Sequence, residues 1–483
     1  MWRQTDTIVL TSGFFSTVDG RPVTRPCALP YQTAIEVPRS GNPWIDGLTD
    51  GYRWGTTAAD PAVGFTFISD TSDLPGGEFG GYPSWGWSEE ERQLMEAGMD
   101  AVSAVSGLKF EDRGNDNDDD VEIWFYTLNN HASDGSYGFA YTPGSDSDEG
   151  LVAINWSAYR NKDGTPKHSI ASGSYLGITF LHELSHAVGL KHPHDKGLFD
   201  QPRFPGLTRH SNESRDKGDF EQNAHPYTQL TYVDKKARNG LVPLTERDHG
   251  FLQTPGALDI ATLQWMYGIN SSTASGDDVY SLPLTNEEGT GWQTIWDTGG
   301  QDLITAAEAT QPVTIDLRNA TLGEDSQAGG FVSRVEDIYG GFTIAHDWDG
   351  SNFDERAGLC VIESAVGGKA GDRLIGNDVA NLLKGKKGPD VIYAGGGSGN
   401  RVAGGKGRDQ FWIAADQGAS VKVLDFNKRK DRLVFDVERS AVAHQRVGDD
   451  TEISVNGIAV AQLLGITSLD LDRHALFTGF EGL

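Results

Sequence analysis

The chain has 483 residues and a formal net charge of −29, from 69 acidic against 40 basic side chains. That length exceeds one compact core and predicts two or three domains. The acidity argues against nucleic acid or an anionic membrane as partner; it suits plain solubility or an extracellular protein that binds divalent cations.

Residues 1 to 45 lack a clear period and read as an irregular leader. Their only apolar run, Ile8-Val9-Leu10, is too short for a secretory signal peptide. No stretch of about 18 apolar residues predicts a membrane anchor anywhere. Two cysteines, Cys27 and Cys360, cannot build a disulfide framework. From residue 46 the character changes. Tyr52 to Trp54 and Gly64 to Ile68 read as strands. Ser88 with Glu91 three residues on forms a capping box, and Leu94, Met95, Met99, Val102 and Val105 follow at helical spacing. Lys109 to Glu111, Val121 to Tyr126 and Leu151 to Trp156 are further strands. Asp116 to Asp120 resembles the start of a calcium loop, but Val121 stands where the glycine belongs, which favours a solvated loop. Tyr137 to Tyr141 is the expected edge strand, able to pair with an extended peptide.

Ile178 to Leu190 is expected as a helix carrying His182, Glu183 and His186. Residues four apart share a helix face, so both imidazoles can grip one zinc ion. Glu183 then projects beside the metal, where a carboxylate can take a proton from a polarised water. Gly189 can end the helix and turn the chain, which brings His192 back as a third ligand. Three protein ligands leave one position open, the catalytic pattern rather than the structural one. His194 is expected on the rim. A long polar loop runs from Pro193 to Ala224, and Gly256 to Gly268 reads as the helix that closes this half.

From about 270 the chain turns to short strands and glycine turns. Thr294 to Asp302 reads as a strand followed by a calcium-type loop, and Val313 to Leu317 as another strand. Five nine-residue units begin at Gly367, Gly376, Gly385, Gly395 and Gly404. They approximate G-G-x-G-x-D-x-U-x, the repeat of calcium-binding parallel β-rolls. The aspartate position holds Asp372, Asn381, Asp390, Asn400 and Asp409, so fewer or weaker calcium ions are expected than in a perfect array. Leu374, Leu382, Ile392, Val402 and Phe411 are expected to face the core. Strands between Val421 and Leu464 are expected to close the molecule as a β-sandwich or cap.

The string H-E-x-x-H-x-x-G-x-x-H at 182–192 is the metzincin signature. With Tyr232, the loop at Asp297 to Asp302 and the nonapeptides, it occurs in the order seen in serralysins, secreted bacterial zinc endopeptidases. The chain resembles them over residues 46 to 470. The resemblance implies an α+β metzincin catalytic domain, a mixed twisted sheet plus zinc helix, over 46–269. An all-β parallel β-roll and β-sandwich domain would follow over 270–483. It implies polypeptide substrates, Zn2+ and Ca2+, Glu183 as general base, and Tyr232 as a zinc ligand that swings to steady the oxyanion. It implies calcium at Gly276, Asp278, Asp297, Gly299, Asp302 and Glu363. It also implies export by a type I system. Three departures stand out: Leu230 replaces the family's methionine beneath the zinc, the loop from His192 to Tyr232 is longer, and the C-terminus lacks an aspartate followed by apolar residues. Cys27 in Cys-x-x-Pro resembles the cysteine switch of matrix metalloproteases, without its flanking arginine and glycine. It either caps the zinc in a latent zymogen or is a free or packed thiol. The other reading of the whole chain is a non-catalytic calcium-dependent binding protein on a protease scaffold.

Overall fold

A computed structural model describes residues 33–56, 62–68, 86–114, 121–128, 137–145, 149–233, 240–243, 246–348, 358–415 and 420–480, with two short strands at 17–18 and 21–22. Cys27 and the acidic run 116–120 lie outside the described residues.

The first half is built on a five-stranded sheet. Its order is Lys109–Asp112, Ala62–Phe67, Ile123–Leu128, Leu151–Asn155 and Gly138–Ala140. The first four are parallel and the last is antiparallel. Central strands such as Leu151–Asn155 are buried along their whole length, as their continuous apolar runs require. Gly138–Ala140 stands at the edge. Helix Glu89–Val105 packs against helix Tyr175–Ala187, with Gly98 admitting Leu184 and Leu181. The capping box forms: Glu91 N donates to Ser88 Oγ at 3.3 Å, and Ser88 N to Glu91 Oε2 at 2.7 Å.

Two features differ from the domain limits expected above. Helix Pro43–Leu48 straddles residue 45, and its Trp44, Ile45 and Leu48 are buried. It is tied forward as well: Asn42 Nδ2 donates to Leu322 O at 2.9 Å and Trp44 Nε1 to Gly323 O at 2.8 Å. Strand Phe251–Leu252 pairs in parallel with Gly291–Ile295, which pairs with Gly341–Ile344, so one small sheet spans residue 269. One large apolar cluster runs through both halves, with a smaller one at Ile68, Tyr126, Leu128, Leu151 and Ala153. These ties join residues far apart in sequence, which composition cannot register.

Apart from that small sheet, the described residues of the second half form two sheets, of nine and seven strands. Successive repeat strands alternate between them. Ser364–Val366, Leu382–Lys384 and Asn400–Ala403 pair in parallel in one; Arg373–Ile375, Val391–Tyr393 and Gln410–Ile413 in the other. Leu374, Ile392, Val402 and Phe411 are buried between the sheets, as expected. In the second unit the inward residue is Leu383, not Leu382, because the strand period of two fixes the face one position later. The stack also extends beyond the repeats. Val279–Ser281 and Leu303–Thr305 begin one sheet, and Val313–Asp316 precedes the repeats in the other. The segment expected as a closing β-sandwich or cap continues both sheets: Val421–Val423 and Arg432–Phe435 add parallel strands, and Val442–Leu463 finishes with an antiparallel turn-back. Unpaired strand edges are templates for further pairing, so continuing the sheets satisfies their backbone groups. Among the described residues no helix is long and apolar enough to cross a membrane.

Candidate metal centre and active site

The histidine helix spans Tyr175–Ala187, starting and ending three residues earlier than expected. Ser174 caps it by accepting from Gly177 N at 3.0 Å. Gly189, at φ +103°, then turns the chain back, a conformation that side chains avoid. Asp50 N donates to its carbonyl at 3.0 Å and fixes the turn.

His182, His186 and His192 converge. Their three Nε2 atoms lie 3.0, 3.1 and 3.2 Å from one another. Each Nδ1 is separately anchored: His182 on Gln229 O at 2.8 Å, His186 on Leu190 O at 2.7 Å, His192 on Asp195 Oδ2 at 2.6 Å. Acceptors at every Nδ1 place the proton there and leave the Nε2 lone pairs facing a common point. Burial and the neighbouring imidazoles push the His182 and His186 pKa values down, that of His186 to about 3, which keeps both rings neutral. Three convergent lone pairs repel unless a cation lies between them. A tetrahedral zinc about 2.0–2.1 Å from each nitrogen holds them roughly 3.3 Å apart, so the residues present fit zinc.

Glu183 is buried, and that burial raises its carboxyl pKa well above the ordinary value. It lies against the edge strand: a Cβ on Gly138 would come 2.9 Å from Glu183 Cγ and 3.0 Å from its Oε1. Glycine is thus required where strand and carboxylate cross. Gly138→Val is expected to displace Glu183 and lower kcat by about 10²-fold, with zinc content retained. Steady-state kinetics beside metal analysis checks this.

Asp195 and Gly138 touch the site through His192 and Glu183 and are not singled out by the sequence, whose one hint of Asp195 is a carboxylate three residues past the third histidine. Asp195→Asn is expected to weaken zinc affinity by about 10–100-fold, measured by competition with a chromophoric chelator. His194 is not a rim residue. It is buried, with its ring stacked 5.0 Å from that of His192 at 11°. A turn closed by Asp195 N donating to His192 O at 3.1 Å carries it there. Lys191, also buried, donates to Asp195 O at 3.0 Å, to Pro202 O at 2.8 Å and to Gly47 O, clamping this segment to helix Pro43–Leu48.

The turn at Thr228–Tyr232 closes the site. Asp259 holds it, accepting from Thr228 Oγ1 at 2.6 Å and Gln229 N at 2.8 Å. Leu230 is wholly buried in that turn. The Tyr232 ring lies 4.5 Å from His192 and 5.8 Å from His182. Burial, then the Glu183 charge, raises its phenol well above the usual range, so it stays protonated as a donor.

Asp278, Asp297 and Asp302 gather at a second place, their ligand atoms within 4.8 Å of one another. Glu363 joins them through Asp302 N, at 2.9 Å. Gly299 N donates to Asp297 Oδ1 at 3.0 Å, and Gly276 packs under Gly300 so closely that a Cβ there would overlap its carbonyl. Burial pushes Asp297 up to about 6, and Asp302 Oδ2 is buried without a partner. This oxygen-only set fits calcium.

The repeat turns form two unlike edges. On one, Asp372 N donates to Asp390 Oδ1 at 2.9 Å, Asp390 N to Asp409 Oδ1 and Asp409 N to Asp431 Oδ1, both at 3.1 Å. The second oxygens of Asp390 and Asp409 are buried without partners. On the other edge stand Asn377, Asn381 and Asn400, whose amides donate to backbone carbonyls: Asn377 to Ile362 O at 2.9 Å, Asn381 to Glu363 O at 3.3 Å, Asn400 to Gly397 O at 2.6 Å.

Residues 257–448 match the family described as "Peptidase M10 serralysin C terminal". The chain is 27% identical over 354 residues to a serralysin of Photorhabdus luminescens, covering 69% of this chain and 62% of that protein. It is 27% identical over 354 residues to metalloprotease AprA of Pseudomonas entomophila, covering 70% and 64%. A serralysin of Proteus mirabilis is 26% identical over 328 residues, covering 63% and 58%. The chain thus spans about three fifths of the length of these curated relatives.

Proposed function

We propose that this chain, serralysin-like by these matches, is a secreted zinc endopeptidase with a calcium-binding β-roll, its catalytic domain a metzincin ending near 269. One observation carries the reading: three anchored imidazoles aim their Nε2 atoms at one point, with a buried carboxylate beside them and, among the described residues, the sheet's edge strand Gly138–Ala140 alongside. His182, His186 and His192 would hold the zinc, which when bound polarises water and the scissile carbonyl. The substrate lies extended along Gly138–Ala140, its backbone paired with that edge. Glu183 accepts the proton of the attacking water; its raised pKa suits it to hold that proton and pass it to the leaving amine. The Tyr232 phenol donates to the developing oxyanion.

Asp278, Asp297, Asp302 and Glu363, with the Gly276 and Gly299 backbone, form the calcium site between the halves, and Asp372, Asp390 and Asp409 bind calcium along one edge of the roll. Cys27 caps the zinc in the latent form, and export follows a type I route. The reading is tested with casein in calcium buffer. Hydrolysis is expected, abolished in Glu183→Ala; no hydrolysis by the zinc-loaded protein freed of residues 1–32 would favour the non-catalytic binder.

A further inference from the structure

We propose that Leu198 and Phe199, at the tip of the loop after His192, form an apolar subsite for substrate side chains about four residues before the scissile bond. The proposal deepens the peptidase reading and rests on it.

The tip is held in a conformation that its residues avoid. Phe199 lies at φ 49° and ψ 33° and Asp200 at φ 64°, both left-handed, and neither is glycine. A bulky residue there is rare and persists only where the surroundings impose it. They do: Lys196 pairs with the Asp200 carboxylate, Arg39 donates to the Asp200 carbonyl, and Leu198 N donates to Asp50 O at 2.7 Å. Gly51 lies directly beneath, where a Cβ would come 3.1 Å from both Leu198 Cβ and Phe199 Cδ2. The result is that two large apolar side chains face solvent, Leu198 41% and Phe199 51% exposed. The Phe199 ring rests edge-on to Tyr52, centroids 5.1 Å apart at 65°.

The tip lies where a bound peptide would run. Within the edge strand, Tyr137 O accepts from Asn155 N at 2.8 Å and Tyr141 N donates to Leu151 O at 2.9 Å, with Phe139 opposite Ala153. Those residues spend their backbone groups inward, so Gly138 and Ala140 present theirs outward. Gly138 abuts Glu183, which fixes the scissile bond at that end. A peptide added antiparallel places its earlier residues over Ala140 and onward past Thr142. Four residues at about 3.4 Å each cover that distance. At that far end Thr142 Oγ1 donates to Asp50 Oδ2 at 2.7 Å, and the Tyr52 ring packs on Gly144 so closely that a Cβ there would overlap it. Tyr52 therefore joins the end of the strand to Phe199.

The test uses internally quenched peptides in which leucine or glycine is scanned through six positions on each side of the cleaved bond. The enzymes are the full chain, Phe199→Gly, and Leu198→Ser/Phe199→Gly; glycine relieves the left-handed backbone, so the fold tolerates it. The wild type is expected to favour leucine over glycine about tenfold in kcat/KM at positions three to five before the bond. The double variant is expected to bring the leucine peptide down to the level of the glycine peptide. Equal loss for both peptides, an undiminished preference, or a preference confined to the other side of the bond overturns the subsite alone. Failure of the wild type to cleave any peptide overturns the peptidase reading and this subsite with it.

Discussion

Replacing Glu183 with glutamine is expected to lower kcat/KM for peptide hydrolysis by roughly 10²–10⁴-fold, the range a positioned general base contributes. The substitution keeps shape and volume but cannot accept a proton. Glu183 sits beside the three histidines without sharing their Nε2 meeting point, so zinc content is expected to stay at the wild-type level. The side chain is buried, and the amide relieves it of a desolvated charge; the melting temperature is therefore expected to hold or rise. Loss of activity together with zinc would reassign Glu183 to the ligand set. Full activity at full zinc content would remove it from the chemistry. The measurement is kcat/KM beside elemental analysis and a thermal melt of the same preparation.

Legibility in the sequence followed range. The pattern at 182–192 is local, so helical spacing and one glycine sufficed to bring three imidazoles to one place. The repeat register is nearly as readable, since glycine turns recur every nine residues; Leu382 and Leu383 are both apolar, and only the strand period makes Leu383 the inward one. What stayed hidden is long-range. Nothing in the local pattern says that Gly138 must lack a side chain because Glu183 crosses it, or that Asn42 reaches Leu322. His194 reads as a rim residue because the ligand spacing selects His192; stacking on His192, with the Tyr232 ring tilted against it at 5.0 Å, buries it. The roll looked confined to its repeats because its flanking strands carry no glycine signature, although they pair in the same two sheets.

The second large effect is expected from calcium, and from one edge of the roll only. Asp390 and Asp409 each bury an oxygen with no partner, and burial pushes their carboxyls up to about 7 and about 6. A folded pKa above the unfolded value of 3.8 makes each an uncompensated burden as pH rises from about 4 through about 7. The calcium-free protein is therefore expected to melt lower at pH 8 than at pH 5. Calcium is expected to reverse this by taking up the ionised oxygens. Two such sites at a hundredfold excess over Kd stabilise by about 5 kcal/mol, or roughly 10 °C in Tm for some 200 residues. The asparagine edge donates an amide where the other edge leaves a carboxylate oxygen without a partner. Asp390→Asn/Asp409→Asn is accordingly expected to shrink the Tm gap between calcium and EGTA by half or more while leaving the zinc ligands untouched. Asn381→Asp/Asn400→Asp is expected to widen the gap, by removing donors that act without metal. Equal responses from the two pairs, read by circular dichroism melts at both pH values, would show that the edges do not differ in their need for a cation.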